Sequence, residues 1–157
     1  MRHKKVSKRK ISGDPKFHSE TVAKFINYMM ERGKKSVAQN IVYKTFDILK
    51  EKTGKDPLEF FQQAINNVSP AVEIRSRRIG GANYQIPVQA TEARRFVLAS
   101  RWIIEAVRGR KGEPTSEKLA KELIEAANNQ GSAIKKKEDV YRMAEANKAF
   151  AHFARIH

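Results

Sequence analysis

Hydrophobic residues recur every three to four positions through most of the chain, the spacing that buries one face of an α-helix. This spacing predicts six helices, the last of which runs to about residue 154. Capping residues mark where several of them begin. Ser19 precedes the first helix, Ser36 the second, Asp56 the third and Thr115 the fifth. Their side-chain oxygens can accept a hydrogen bond from a free N–H of the first turn.

The spacing changes to strict alternation between residues 72 and 89, which is typical of β-strands. Gly80-Gly81-Ala82-Asn83 divides this segment and suits a tight reversal of the chain. The segment is therefore predicted to be a two-stranded hairpin. A lone hairpin is only marginally stable in water, so we expect it to project as an arm and to dock on something. The expected fold is mainly α, a single domain over 1–157 of about six helices with this protruding β-hairpin arm.

The net charge of the chain indicates a polyanionic partner. The 157 residues include 32 Lys and Arg against 17 Asp and Glu, a formal net charge of +15. Such a surface repels itself until a polyanion neutralises it. The cations gather in turns, in the hairpin and in a basic arm over 1–16, not along one face of an amphipathic helix. That distribution favours nucleic acid over an anionic membrane.

Composition and spacing argue against catalysis. The chain has no cysteine, which excludes disulfides, zinc fingers and thiolate nucleophiles. The four histidines lie near the two ends without metal-ligand spacing, and Gly33-Lys34-Lys35-Ser36 lacks the first glycine of a phosphate-binding loop. We therefore expect no enzyme, no metal and no cofactor. No apolar run approaches the roughly 18 residues of a membrane span, and no secretory signal follows the first residues.

Phosphate-binding residues are predicted where cations cluster, because RNA and DNA affinity comes largely from phosphate neutralisation. Three of them follow one strand of the hairpin without an obvious acidic partner there, and two follow the other strand. The predicted set is Arg2, Lys4, Lys5, Lys8, Arg9, Lys10, Lys34, Lys35, Arg75, Arg77, Arg78, Arg94, Arg95, Arg110, Lys111, Lys135, Lys136 and Lys137. Tyr84, near the hairpin tip, suits either base stacking or aromatic packing across the two strands of the ribbon.

Several segments resemble the bacterial small-subunit ribosomal protein seven family, and the likeness covers essentially the whole chain. They are Asp14-Pro15, Gly33-Lys34-Lys35, Thr53-Gly54-Lys55-Asp56-Pro57, the hairpin segment 77–88, Ala126-Ala127-Asn128-Asn129 and the segment 143–153. The likeness is weakest in the basic arm before Asp14.

The resemblance implies a cytoplasmic protein of the ribosome that binds the 3′ major domain of small-subunit ribosomal RNA and nucleates assembly of the subunit head. It also implies a position at the exit site, near messenger RNA and the departing transfer RNA, and contacts with neighbouring ribosomal proteins. The residues it places there are Gly80, Gly81, Ala82, Asn83, Tyr84, Lys148 and Arg155. The free protein is expected to be a monomer. A DNA-binding architectural or regulatory protein is the alternative, and self-association would favour it.

Overall fold

A computed structural model describes residues 11–155, so the six cations predicted within the first ten residues lie outside the described part. The fold is mainly helical with one antiparallel hairpin, as predicted. Its elements are α1 (Glu20–Met29), α2 (Lys35–Thr53), α3 (Pro57–Val68), β1 (Val72–Ile79), β2 (Ala82–Gln89), α4 (Glu92–Gly109), α5 (Thr115–Ala127), α6 (Ser132–Ala146) and a C-terminal 3-10 helix (Lys148–Arg155).

The described chain divides into two compact units, one ending at Asn40 and the other beginning at Ile41. In the first unit, the Ser19 hydroxyl accepts a hydrogen bond from the Val22 N–H at 3.5 Å, which confirms the predicted cap of α1. The Asp14 carboxylate accepts bonds from the N–H groups of Lys16 and Phe17 at 3.0 and 3.2 Å. These bonds fix the turn that leads into α1.

The core of the second unit lies among α3, α4, α5 and α6. α5 packs against α3, α4 and α6, and α6 also packs against β1. Phe61, Ile103 and Leu123 are almost fully buried there, as expected from their helical spacing. The rings of Phe46 and Phe61 lie 5.5 Å apart, a favourable distance for an aromatic pair. Apolar packing thus holds the helices that carry the hairpin.

Two predicted helix caps are wrong, because both residues lie inside their helices. α2 begins at Lys35, one residue before Ser36, and the Lys34 carbonyl already accepts a bond from the Ala38 N–H at 3.3 Å. α5 begins at Thr115, with Pro114 in the capping position. The Pro114 carbonyl accepts bonds from two N–H groups of the first turn, each at 3.1 Å. In each case the carbonyl of the preceding residue accepts the first helical hydrogen bond, so the helix begins earlier than the capping side chain indicates.

The predicted last helix is also wrong in part, because α6 ends at Ala146 and a 3-10 helix follows. The Asn147 side-chain amide donates to the Met143 carbonyl at 2.8 Å, a local bond that competes with regular helix geometry. A 3-10 helix has three residues per turn, so Phe150 and Phe153 lie on one face of it. The change of helix type lines these two rings up.

The hairpin pairs in a simple register, in which Arg75 lies opposite Ile86 and Arg77 opposite Tyr84. Its turn is two residues long, Gly80 and Gly81, at φ 56° and 90°. Positive φ at both positions is what the favoured two-residue hairpin turn requires, and glycine adopts it without strain. Ala82 and Asn83, expected in the turn, already belong to β2.

Candidate nucleic-acid interface

The two faces of the hairpin carry different side chains. Side chains two apart on a strand share a face, as do residues directly opposite each other on the two strands. Glu73, Arg75 and Arg77 therefore lie on one face, together with Ile86 and Tyr84 across the register. Arg78 lies on the other face. Arg75, Arg77 and Arg78 are all exposed, so the hairpin presents guanidinium groups on both of its faces.

Glu73 is the acidic partner that the sequence interpretation missed. Only 4% of this residue is exposed. Its Oε1 accepts a bond from the Nε of Arg75 at 2.6 Å and also contacts Nη2 of that residue. Its Oε2 accepts a bond from the Nε of Arg94, near the start of α4, at 2.6 Å. The expectation that the hairpin arginines have no acidic partner is therefore wrong for Arg75.

The environment of Glu73 acts on its pKa in opposite directions. Burial raises the pKa of this carboxyl, while the hydrogen bonds and positive charges of Arg94 and Arg75 lower it. The net result is a pKa below the ordinary value of 4.5. The carboxylate is thus ionised near neutral pH and can hold both guanidinium groups.

The hairpin tip is not a free arm, because the C-terminal 3-10 helix packs against β2. The Tyr84 ring lies 5.2 Å from the ring of Phe150 and 5.5 Å from that of Phe153. The aromatic packing is therefore with the C-terminal 3-10 helix and not with a ring on the opposite strand, where Arg77 lies across from Tyr84. The turn residues Gly80 and Gly81 are exposed beyond this cluster.

The other residues predicted near the exit site have varied surroundings. Ala82 and Asn83 are exposed. Lys148 is also exposed, and its ammonium lies 3.4 Å from the Glu145 carboxylate. Arg155 closes the 3-10 helix.

The lysine run of α6 lies close to the base of the hairpin. The Lys137 ammonium donates to the Asn67 carbonyl at 2.6 Å, and the Ala71 N–H donates to the Tyr141 hydroxyl at 2.9 Å. Lys135 and Lys136 are exposed, and Lys136 lies 3.9 Å from the Glu105 carboxylate. The fold therefore brings this run near the base of the hairpin, with Lys137 turned toward the protein.

Arg110 is held by carboxylates of α5. Its Nη2 donates to Glu122 at 2.5 Å and also contacts Glu125, while Nη1 donates to Glu125 at 3.2 Å. These bonds, that to Glu125 first, raise the pKa of Arg110 above its ordinary value despite partial burial. Glu122 is fully buried and also accepts a bond from the Ala133 N–H at 2.9 Å. The group joins the end of α4 to α5 and to the start of α6.

Two further predicted cations occupy the ends of α4. Arg95 is exposed near its start, and Lys111 is exposed just beyond its end. The 18 residues of the helix span about 27 Å. Lys111 therefore lies far from the arginines at the hairpin base.

Lys34 and Lys35 belong to the first unit, where both are exposed at the start of α2. The N–H groups of Lys34 and Lys35 donate to the carbonyls of Glu31 and Gly33, each at 2.9 Å, and phosphate binding at this helix start stays a prediction. Arg32, which the predicted set does not include, is also exposed in the same turn, at φ 51°. The signal was present, since Arg32-Gly33-Lys34-Lys35 is one continuous basic run around a glycine.

The described part of the chain offers little for other chemistry. No group of three or more His, Asp or Glu side chains within residues 11–155 is arranged to hold a metal ion. None of the helices described there is long and apolar enough to cross a bilayer.

Comparison with known proteins gives a consistent result. Residues 1–148 match the family described as ribosomal protein S7p/S5e. The small ribosomal subunit protein uS7 of Thermotoga maritima is 59% identical over 153 residues, which cover 98% of this chain and 99% of that protein. The protein of the same name from Dechloromonas aromatica is 56% identical over 152 residues, or 97% of each chain.

A protein of the same name from Caldanaerobacter subterraneus subsp. tengcongensis is 57% identical over 148 residues, which cover 94% of this chain and 95% of that protein. Proteins of this family are structural components and not enzymes, which confirms the non-catalytic interpretation. With a match over nearly its whole length and relatives of this similarity, the chain belongs to the ribosomal protein S7p/S5e family.

Proposed function

We propose that the protein is a structural constituent of the small ribosomal subunit that binds ribosomal RNA through its hairpin and the start of α4. The observation that carries the proposal is the row of exposed arginines on β1, Arg75, Arg77 and Arg78, which continues into Arg94 and Arg95. The names of the relatives support the choice of the small subunit.

The geometry of the hairpin suits a phosphate backbone. A two-stranded ribbon is narrow enough to enter a groove or a junction, and guanidinium groups on both faces can contact phosphates on either side. Lys135 and Lys136 extend the basic surface from the hairpin base along α6. The net charge of +15 adds a long-range attraction that accelerates binding to any polyanion.

The finer assignment follows from family membership and is part of the proposal. The RNA site is the 3′ major domain, binding there nucleates assembly of the subunit head, and the protein works in the cytoplasm beside other ribosomal proteins. The exposed tip at Gly80 and Gly81, together with Lys148 of the 3-10 helix that packs on β2, is the part we place nearest messenger RNA and the exit-site transfer RNA. The free protein is a monomer, and its single rRNA-binding domain includes the basic arm.

Competition binding tests the proposal at one stated salt concentration, since affinities for nucleic acids depend steeply on salt. The full chain is bound to a labelled fragment of the 3′ major domain and challenged with the unlabelled fragment or with duplex DNA of equal phosphate number. The fragment should compete at least about tenfold better than the duplex, a difference of about 1.4 kcal/mol. Equal competition, together with a dimeric mass in solution, would favour the DNA-binding alternative.

A further inference from the structure

Cationic attraction to RNA does not account for the buried carboxylate at the base of the hairpin. Only 4% of Glu73 is exposed, yet the arginine side chains that it holds are open to solvent. Arg75 is 52% exposed and Arg94 is 40% exposed in their side chains. A negative charge beneath an RNA-binding surface opposes RNA binding unless it does something else for that surface.

Stability gives little reason for a carboxylate at this place. Removing an ion from water costs several kcal/mol, and replacing a buried ion pair with apolar residues is often neutral or stabilising. Val88 lies opposite Glu73 in the register, and Ile86 on the same face is fully buried. An apolar side chain would therefore suit the position, so the value of Glu73 lies in what it does to the two arginines.

We infer that Glu73 is a positioning residue for RNA binding, which holds Arg75 and Arg94 ready for one stretch of phosphate backbone. The inference rests on the proposed RNA-binding function. A guanidinium has five N–H donors. Glu73 bonds the Nε and Nη2 groups of Arg75 and the Nε group of Arg94. Three N–H donors of Arg75 and four of Arg94 are thus not bonded to this carboxylate.

The two bonded arginines come from different elements, and this makes the arrangement more than a local pair. Arg75 belongs to β1, while Arg94 lies 21 residues beyond Glu73 in α4. One carboxylate therefore fixes the spacing of two cations across the junction of hairpin and helix. Long side chains that are already immobilised lose less conformational freedom when a ligand binds, which increases affinity.

A charge-neutralising variant separates this role from simple electrostatics, because the two predict opposite signs. Glu73→Gln raises the net charge from +15 by one, so an acid that merely repels RNA would on removal tighten binding. A positioning residue would on removal weaken it. We expect the affinity for a fragment of the 3′ major domain to fall by roughly fivefold to tenfold. Unchanged or tighter binding would overturn the inference.

Glu51→Gln is the matched control, because it makes the same change of charge at an exposed position of α2. It should leave RNA affinity unchanged or slightly increase it. The second control is Glu73→Gln in a chain that already carries Arg75→Ala and Arg94→Ala. There the substitution should change affinity by less than about twofold, since positioning needs both partners. A full loss in that background would show that Glu73 acts through the fold instead.

The unmodified protein offers a test that does not depend on any variant folding. ¹⁵N relaxation of the arginine Nε–H groups in the free protein should give order parameters near about 0.85 for Arg75 and Arg94, and below about 0.6 for the exposed Arg78. Mobile Nε–H groups at Arg75 and Arg94 would overturn the inference even when RNA binding itself is established. Rigid groups in a protein that fails to prefer ribosomal RNA would instead count against the proposed function alone.

Discussion

Two glutamates of this chain are buried and bonded to arginines, and they differ in where the arginines lie. Glu73 holds Arg75 and Arg94, which are 52% and 40% exposed. Glu122 holds Arg110, which is 27% exposed and also bonded to Glu125. The same pairing of residue types therefore builds a surface in one place and fastens helices together in the other. Exposure of the cation, not its charge, distinguishes the two.

The surroundings of the second pair explain its structural role. Gly131 precedes α6 at φ 95°, and a Cβ at this position would lie only 3.0 Å from Glu125 and 3.1 Å from Glu122. The chain thus passes directly over the two carboxylates. Glu122 bonds the backbone of Ala133 as well as Arg110, so it fixes the start of α6. Within residues 11–155, the Glu73 side chain bonds two arginine side chains and no backbone group of a helix.

Arg110→Ala should give the largest effect, a loss of folding stability at the Glu122 pair. It leaves Glu122 buried without its cation, which costs about 3 kcal/mol of unfolding free energy. Chemical denaturation measures the loss. Lys111→Ala is the control, because it removes the same charge from an exposed neighbour and should leave stability within about 0.5 kcal/mol. Equal stability of the two variants would contradict the structural role of Arg110.

Arg78→Ala should lower RNA affinity and leave folding stability almost unchanged. Its side chain is exposed on the hairpin face opposite Glu73, so RNA affinity should fall by about 1–3 kcal/mol while stability changes by less than about 0.5 kcal/mol. Titration of the ribosomal RNA fragment and thermal melting measure the two effects. Lys44→Ala, an exposed cation of α2, controls for the lost charge. A loss of stability with intact binding would reverse the assignment.

The lowered pKa of Glu73 predicts how its contribution to stability depends on pH. Because the folded-state pKa lies below the ordinary value of 4.5, the stabilisation is complete above that pH and is lost as pH falls through the folded-state pKa. Denaturation of the wild type and of Glu73→Gln from pH 7 down to pH 3 should therefore give curves that converge at the acidic end. A difference that stays constant over this range would exclude the ionised carboxylate as its cause.

The smallest effect is expected at an exposed pair between α5 and the loop before it. Lys121 lies 2.5 Å from Glu113, and their side chains are 42% and 37% exposed. The hydrogen bond from Lys121 lowers the pKa of Glu113 below its ordinary value. Solvent screens such pairs, so Glu113→Gln should leave the melting temperature within measurement error. A clear drop in the melting temperature would show that an exposed ion pair can stabilise the fold as a buried one does.

Sequence patterns predicted the elements well, because helical and alternating spacings report directly on burial. The six helices and the hairpin are where the hydrophobic residues indicated. Cap assignments failed at Ser36 and Thr115, since a side chain that can cap does not reveal which backbone carbonyl starts the helix. The 3-10 helix was missed because its aromatic spacing also fits an α-helix.

The sequence could not predict which side chains pair across different elements of the fold. Arg75, Arg94 and Arg110 carry the same charge, and nothing in their sequence positions shows which carboxylate each of them bonds. Glu73 and Arg94 are 21 residues apart, and Arg110 is 12 residues from Glu122. Such pairs depend on how strand and helices pack, so only the folded chain reveals them. Arg78, Lys111 and Lys135 are exposed, and their contact with RNA stays a prediction.

Packing of the C-terminal segment on the hairpin has a consequence for synthesis of the protein. The hairpin is made before the residues that support it, Tyr141, Phe150 and Phe153. Ala71 and Tyr141 are 70 residues apart, a delay of roughly 4–14 s at typical translation rates of about 5–20 residues per second. During that interval the nascent ribbon lacks its support, and a chaperone or RNA itself has time to meet it first.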